Sequence, residues 1–386
     1  MEWHEIEEAL TDLETDRGRV GATEADPKAA LGELVTGDVS RRPGPRRAPG
    51  AYTAGMRGSA SLALLVAALA VLGCGSAAER PRAAQRPASA RPTATLYLAN
   101  ATPGQLTIVD VARRRVEKRQ LRELAPGDPP YMIAVRGRRL VVFGHDHTYA
   151  FGPGLREPAR DLGESWFFVP SASAGRVWLA LLDPRSPATV NALREVREVT
   201  VDGRVTVVRS RRPPRWPFAA LRSGLVLQHT TLELWDPATG RITQRLPGVF
   251  PVAARDWRVV SCAAGCRVLH VSDTRSGGRT VIGPGRDFRF VESYDGAFAP
   301  DGKLVAVPAV GRRGEPHVVL VDLARRVTTL VRGPHLARDY QLLAWSSSGW
   351  LFYNAGRGRI AAYRPGGATA TLLPLHVAPF VDIAAR

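Results

Sequence analysis

From Thr95 to the end of the chain, apolar residues come in short runs, separated by Gly, Pro and Asp. Thr95-Leu-Tyr-Leu-Ala99, Leu342-Leu-Ala-Trp345 and Trp350-Leu-Phe-Tyr353 are examples. Runs this short, bounded by turn residues and rich in β-branched and aromatic side chains, predict strands; helical periodicity is almost absent. One unit recurs: a strand, a turn, a second strand, then a third strand ending in a polar turn. The third strand and its turn read Leu106-Thr-Ile-Val-Asp-Val-Ala-Arg113, Thr148-Tyr-Ala-Phe-Gly-Pro-Gly154, Glu198-Val-Thr-Val-Asp-Gly-Arg204 and Leu234-Trp-Asp-Pro-Ala-Thr-Gly-Arg241. They continue as Leu269-His-Val-Ser-Asp-Thr-Arg-Ser-Gly277, Val319-Leu-Val-Asp-Leu-Ala324 and Ala361-Ala-Tyr-Arg-Pro-Gly366. Turn-initiating positions 110, 152, 202, 236, 273, 322 and 364 are separated by about 42 residues on average.

That period fits a four-stranded blade, so the repeat predicts an all-β fold, a seven-bladed β-propeller spanning 95–386. The first unit lacks a strand ahead of Thr95, while Val377-Ala-Pro-Phe-Val-Asp-Ile383 is a strand in surplus. The C-terminal strand is therefore expected to complete the first blade and close the ring, leaving no open edge. Gly296-Ala-Phe-Ala-Pro-Asp-Gly-Lys-Leu-Val-Ala-Val307, followed by Val318-Val-Leu-Val-Asp-Leu323, resembles the TolB/YVTN-type bacterial β-propeller repeat, and Leu234-Trp-Asp is similar to WD-repeat relatives. The resemblance implies a fold and no activity, since its residues are turn and packing residues. Asp301-Gly302 also reads as a two-residue hairpin turn between the inner strands.

Ahead of this domain, Met56–Cys74 reads MRGSASLALLVAALAVLGC. Arg57 supplies a positive n-region, and Leu62 to Leu72 form an apolar run shorter than the roughly 20 residues of a comfortable membrane span. Val71-Leu-Gly-Cys74 resembles a bacterial lipobox, which makes 56–73 a signal peptide and Cys74 the lipidated N-terminus. Residues 74–94, rich in Ala, Pro, Arg and Ser, read as a flexible tether. Residues 1–55 carry Trp3, Ile6, Leu10 and Leu13 at helical spacing and then decay into a basic Pro/Gly run. Two readings stay open for them: a mis-assigned start ahead of Met56, or an unstructured cytoplasmic segment before a signal anchor, in keeping with the positive-inside rule.

The net charge is +17, yet only three of the 53 basic residues, Lys28, Lys118 and Lys303, are lysines. Such arginine bias, with abundant Ala, Gly and Pro, reflects codon supply in a GC-rich genome better than selection for an anionic partner, so nucleic acid is not expected as one. Cys262 and Cys266 flank Ala-Ala-Gly between two strand-like runs, which predicts a disulfide across the mouth of a hairpin. Gly144-His-Asp-His-Thr148 offers His145 and His147 as weak metal ligands, against the plainer reading of a solvated loop. Six tryptophans, Trp166, Trp178, Trp235, Trp257, Trp345 and Trp350, are expected to pack between blades, and the Arg211–Pro217 connection to expose Trp216. No G-x-S-x-G elbow, H-E-x-x-H helix, dinucleotide fingerprint or phosphate loop occurs, so no catalytic residue or cofactor is assigned. The expectation is an exported, lipid-anchored propeller acting as a binding or scaffold module at the cell envelope. Its partners would be the membrane, through the anchor, and a protein or glycan. The alternatives are a propeller enzyme of lyase or lactonase type with its site at the central channel, or an extracytoplasmic sensor domain on a signal anchor.

Overall fold

The computed structural model describes residues 91–124, 130, 132–144, 146–183, 193–338 and 342–386, and among these it contains 29 strands and no helix. All of them belong to one compact unit, Ala90–Arg386. The leader, Cys74 and His145 lie outside the described residues.

The strands form seven antiparallel sheets. The first contains β1 (Thr95–Asn100), β2 (Gln105–Asp110) and β3 (Arg115–Gln120). The second contains β4 (Met132–Arg136), β5 (Arg139–Gly144), β6 (His147–Phe151) and β7 (Arg160–Glu164). The third holds β8 (Phe167–Pro170), β9 (Arg176–Leu182), β10 (Leu193–Thr200) and β11 (Val207–Arg211). The fourth holds β12 (Trp216–Leu221), β13 (Gly224–Gln228), β14 (Leu232–Asp236) and β15 (Arg241–Leu246). Next come β16 (Phe250–Arg255), β17 (Arg258–Cys262), β18 (Leu269–Asp273) and β19 (Arg279–Ile282). The sixth sheet has five strands: β20 (Phe288–Phe290), β21 (Ala297–Phe298), β22 (Leu304–Gly311), β23 (Pro316–Asp322) and β24 (Val327–Leu330). The seventh has β25 (Leu343–Trp345), β26 (Leu351–Asn354), β27 (Ile360–Tyr363) and β28 (Thr371–Leu372). Finally β29 (Phe380–Ala385) returns to the first sheet and pairs with β1 on its inner side.

Innermost strands touch in cyclic order: β29 meets β4, β4 meets β8, then β12, β16, β21 and β25 follow, and β25 meets β29 again. The chain is a seven-bladed β-propeller. Closure occurs where the sequence places it, three residues later than the predicted strand. Leu96 pairs with Ala385 and Ala99 with Asp382, while Val377 instead donates its N–H to the Gly358 carbonyl. Thr95 and Arg386 exchange two backbone hydrogen bonds, of 3.1 and 2.9 Å.

Each sheet packs on both faces, so the second strands are apolar without alternation, as in Leu140-Val-Val-Phe143 of β5. Seven buried clusters result, one at each interface between neighbouring blades. Trp235, Tyr97 and Tyr353 are the largest of the fully buried side chains. Outer strands have only one covered face, and β3, Arg-Val-Glu-Lys-Arg-Gln, is largely exposed.

Third strands end where expected because an aspartate captures the backbone that follows. Asp236 Oδ1 accepts from the N–H of Ala238, Asp273 Oδ1 from Arg275 and Ser276, and Asp322 Oδ1 from Ala324 and Arg325. Local corrections accompany this agreement. Pro300-Asp-Gly-Lys303 is a four-residue loop: Gly302 donates to the Ala299 carbonyl and alone takes positive φ (+68°), so the turn is type I, not the two-residue form. The cysteine hairpin is also wider. Cys262 pairs with Leu269, so 263–268 form the loop and Cys266 sits inside it. Trp166 lies in a bend and is 43% exposed, where a place between blades was expected.

Candidate functional site at the channel mouth

Antiparallel order gives the ring two distinct faces. The upper face carries the starts of the inner strands, the links between blades and the turns between second and third strands. The lower face carries the remaining turns.

On the upper face four consecutive blades begin their inner strands with aromatic residues. Phe167, opening β8, stacks on Trp216, opening β12, with ring centroids 5.3 Å apart. Phe218 approaches Tyr294 at 6.0 Å, and Phe250, opening β16, approaches the same ring at 6.4 Å. These side chains make an aromatic arc over blades three to six, and Trp166 stands exposed on the link just ahead of β8. Trp166 is 43% exposed and Tyr294 44%.

Tyr294 reaches the arc because the inner strand of the sixth blade is broken. Phe290 pairs with Ala309 and Ala297 with Ala306, so residues 291–296 stand opposite only two on β22 and must bulge outward. Ser293 Oγ and Asp295 bond within the bulge, and Gln228 Nε2 donates to the Tyr294 hydroxyl at 2.8 Å. Glu292 accepts the N–H of Gly265 from the cysteine loop of blade five. Cys262 and Cys266 are disulfide-bonded with Cα atoms 5.0 Å apart, so a covalently braced loop holds the bulge that presents Tyr294.

The lower end of the channel is built differently. Arg136, ending β4, donates to the carbonyls of Ser171, Ser173 and Arg176 on the next blade. Arg255, ending β16, donates to the Pro300 carbonyl at 2.8 Å. Burial, and secondarily the charge of Arg255, lowers the Arg136 pKa to about 10. Both guanidinium groups serve as braces between blades. Elsewhere burial raises the hydroxyls of Tyr97, Tyr353 and Tyr363, and none of these lies in the arc.

Of the residues singled out in the sequence, His147 opens β6 with Nδ1 3.2 Å from Asp161 Oδ1 and its ring stacked near Tyr149. Among the described residues no group of three or more His, Cys, Asp or Glu side chains is arranged to hold a metal. Trp216 is not a bare loop residue; its ring is half-buried against Phe167. Trp178 and Trp235 are buried between blades, Trp345 and Trp350 pack against inter-blade clusters while partly exposed, with Arg364 over the Trp350 ring, and Trp257 lies in a turn beside Arg275. The arc as a whole was missed. Its signal is the aromatic residue opening the first strand of successive repeats: Trp166-Phe167, Trp216-Pro-Phe218 and Phe250.

No protein-family model matches the chain, and no curated protein matches it in sequence. Solved structures do. TolB from Acinetobacter baumannii is 13% identical at a TM-score of 0.45, over 76% of this chain and 66% of that one, so the chain spans just under two thirds of that protein. The WD40 domain of Neurospora crassa Pan2 is 11% identical at 0.48, over 75% and 88% of the two chains. AztD from Citrobacter koseri is 12% identical at 0.44, over 76% and 98%. In fold the chain is similar to these propellers. At these identities the likeness extends to architecture alone, and the aromatic arc is a property read from this chain.

Proposed function

We propose that this propeller is an exported, lipid-anchored binding module of the cell envelope that takes an extended segment of a partner protein across its aromatic arc. The arc carries the reading. Large, half-exposed aromatic faces with one tethered hydroxyl supply contact area and a polar handle at small entropic cost, as the centres of protein interfaces do. The leader Met56–Cys74 supports export and anchoring at Cys74, and a disulfide-bonded loop beneath the arc fits an oxidising compartment.

Two measurements test this. Mass spectrometry of membrane-bound protein should find residues 1–73 removed, and Cys74→Ser should abolish both processing and detergent partitioning. Cross-linked capture from solubilised membranes should then yield a defined protein partner. The double variant Trp166→Ala/Tyr294→Ala should retain it at least tenfold less well, with its melting temperature unchanged. Equal capture by that variant overturns the role of the arc.

A further inference from the structure

A second feature lies on the lower face, between blades three and four, and does not rest on the reading above. There the turns at 171–174 and 221–224 and the start of the turn after Asp236 enclose a cleft of about 500 Å³, a size suited to a small-molecule ligand. Its wall includes Trp178, Glu198, Arg209, Arg222 and Ser223. Gly224 opens one side with φ +146°; a Cβ there would collide with the Trp235 carbonyl, so the narrow strand entry requires glycine.

Glu198 is the unusual member. It is a carboxylate only 3% exposed, in the middle of β10. Oε1 accepts the Ser171 hydroxyl at 2.7 Å. Oε2 forms ion pairs with Arg209 Nε at 3.2 Å and Arg176 Nη1 at 3.7 Å, yet accepts no hydrogen bond. A buried carboxylate oxygen without a donor is costly. Arg209, half-exposed on the outer strand, lies over it, and a ligand reaching Oε2 would have to displace that guanidinium. The second carboxylate at the rim, Asp236, is already taken by Ala238 N–H and the Thr239 hydroxyl.

The charge pattern selects the missing donor. Glu198 and Asp236 against Arg209 and Arg222 leave the lining close to neutral, so it favours neither an ammonium nor an anion. The unsatisfied oxygen itself repels an anion. A neutral hydroxyl meets both conditions: it donates to Glu198 Oε2 while its own lone pairs accept from Arg209 or Arg222. Trp178 and Leu221 add apolar edges for the carbon face of such a molecule. We propose that this cleft binds a neutral carbohydrate, held by donation of a sugar hydroxyl to Glu198.

The test is titration calorimetry on the full chain with cellobiose, maltose and N,N′-diacetylchitobiose. Glucosamine serves as the cationic and glucose 6-phosphate as the anionic comparator. Saturable binding of at least one neutral disaccharide is expected, with both charged comparators weaker. Glu198→Gln should weaken binding at least tenfold. Arg222→Ala, which removes only one exposed ion pair to Asp256 of the next blade, should weaken it about fivefold and keeps the test decisive should Glu198→Gln fold poorly. Absence of saturable binding by all three disaccharides, tighter binding of a charged comparator, or binding indifferent to Arg222→Ala overturns the assignment.

Discussion

Single residues set both the turns and the stiffness of the upper face. Hydrogen bonding from the Thr239 hydroxyl, then from the Ala238 N–H, holds the Asp236 carboxyl below the usual carboxylate range. For Asp273 burial pulls upward, but donation from Ser276 and Arg275 outweighs it and the net direction is again down. Groups whose folded pKa is depressed stabilise the fold fully above their unfolded value, and that stability fades as pH falls through the lowered folded value. Melting temperature should therefore be flat above about pH 5 and fall below about pH 4, with Asp236→Asn shallower in that acid limb. The disulfide acts locally. Closing so small a loop contributes at most about 2 kcal/mol, so Cys262→Ser/Cys266→Ser should lower the melting temperature by only a few degrees. Because Gly265 in that loop donates to Glu292, the same variant should weaken partner capture more than it weakens the fold. A pair that loses stability but binds normally would detach the loop from the arc.

At the level of elements, what was legible in the sequence is what repeats. The aspartates ending β2, β14, β18 and β23 recur because each closes the same turn, and together with the turns at 152, 202 and 364 they carried the blade count. The surplus strand before Arg386 and the deficit ahead of Thr95 are complementary gaps in one pattern, so closure was legible as well. What repeats only once was not. Residues 291–296, Val-Glu-Ser-Tyr-Asp-Gly, have the polar and small composition of any loop, and nothing local marks them as an interruption within a strand. The arc joins residues 44 to 76 positions apart and exists only after the ring forms. Glu198 follows another charged residue in Val196-Arg-Glu-Val199 and reads as part of a solvated strand; the folded blade buries it among Ser171, Arg176 and Arg209. One prediction belongs at this scale. Deleting 376–386 removes β29 with its buried Phe380 and Ile383, exposes both β1 and the first inter-blade cluster, and should melt or aggregate the whole domain. Melting like that of the intact chain would show the ring is sealed otherwise.

For the whole molecule, the seven interfaces share the work of stability, so replacing a fully buried anchor such as Trp235 by Ala should cost about 3–5 kcal/mol. The arginine excess also finds a place. Arg115 and Arg119 on β3, Arg209 and Arg211 on β11, and Arg241 and Arg245 on β15 line the outer strands. Those strands expose Val116, Val207 and Ile242, and flanking charge keeps such edges from pairing with other chains. Whatever its origin in codon usage, the bias is spent where a ring of unpaired edges needs it.

The paired backbones of Thr95 and Arg386 make the folded domain very nearly a loop without ends. Its present break-point is then one choice among several. Joining those termini by a short linker and opening the chain at the exposed turn beside Gly314 would move the seam from blade one to blade six, while every strand keeps its neighbours. Such a permutant should fold and melt within a few degrees of the parent.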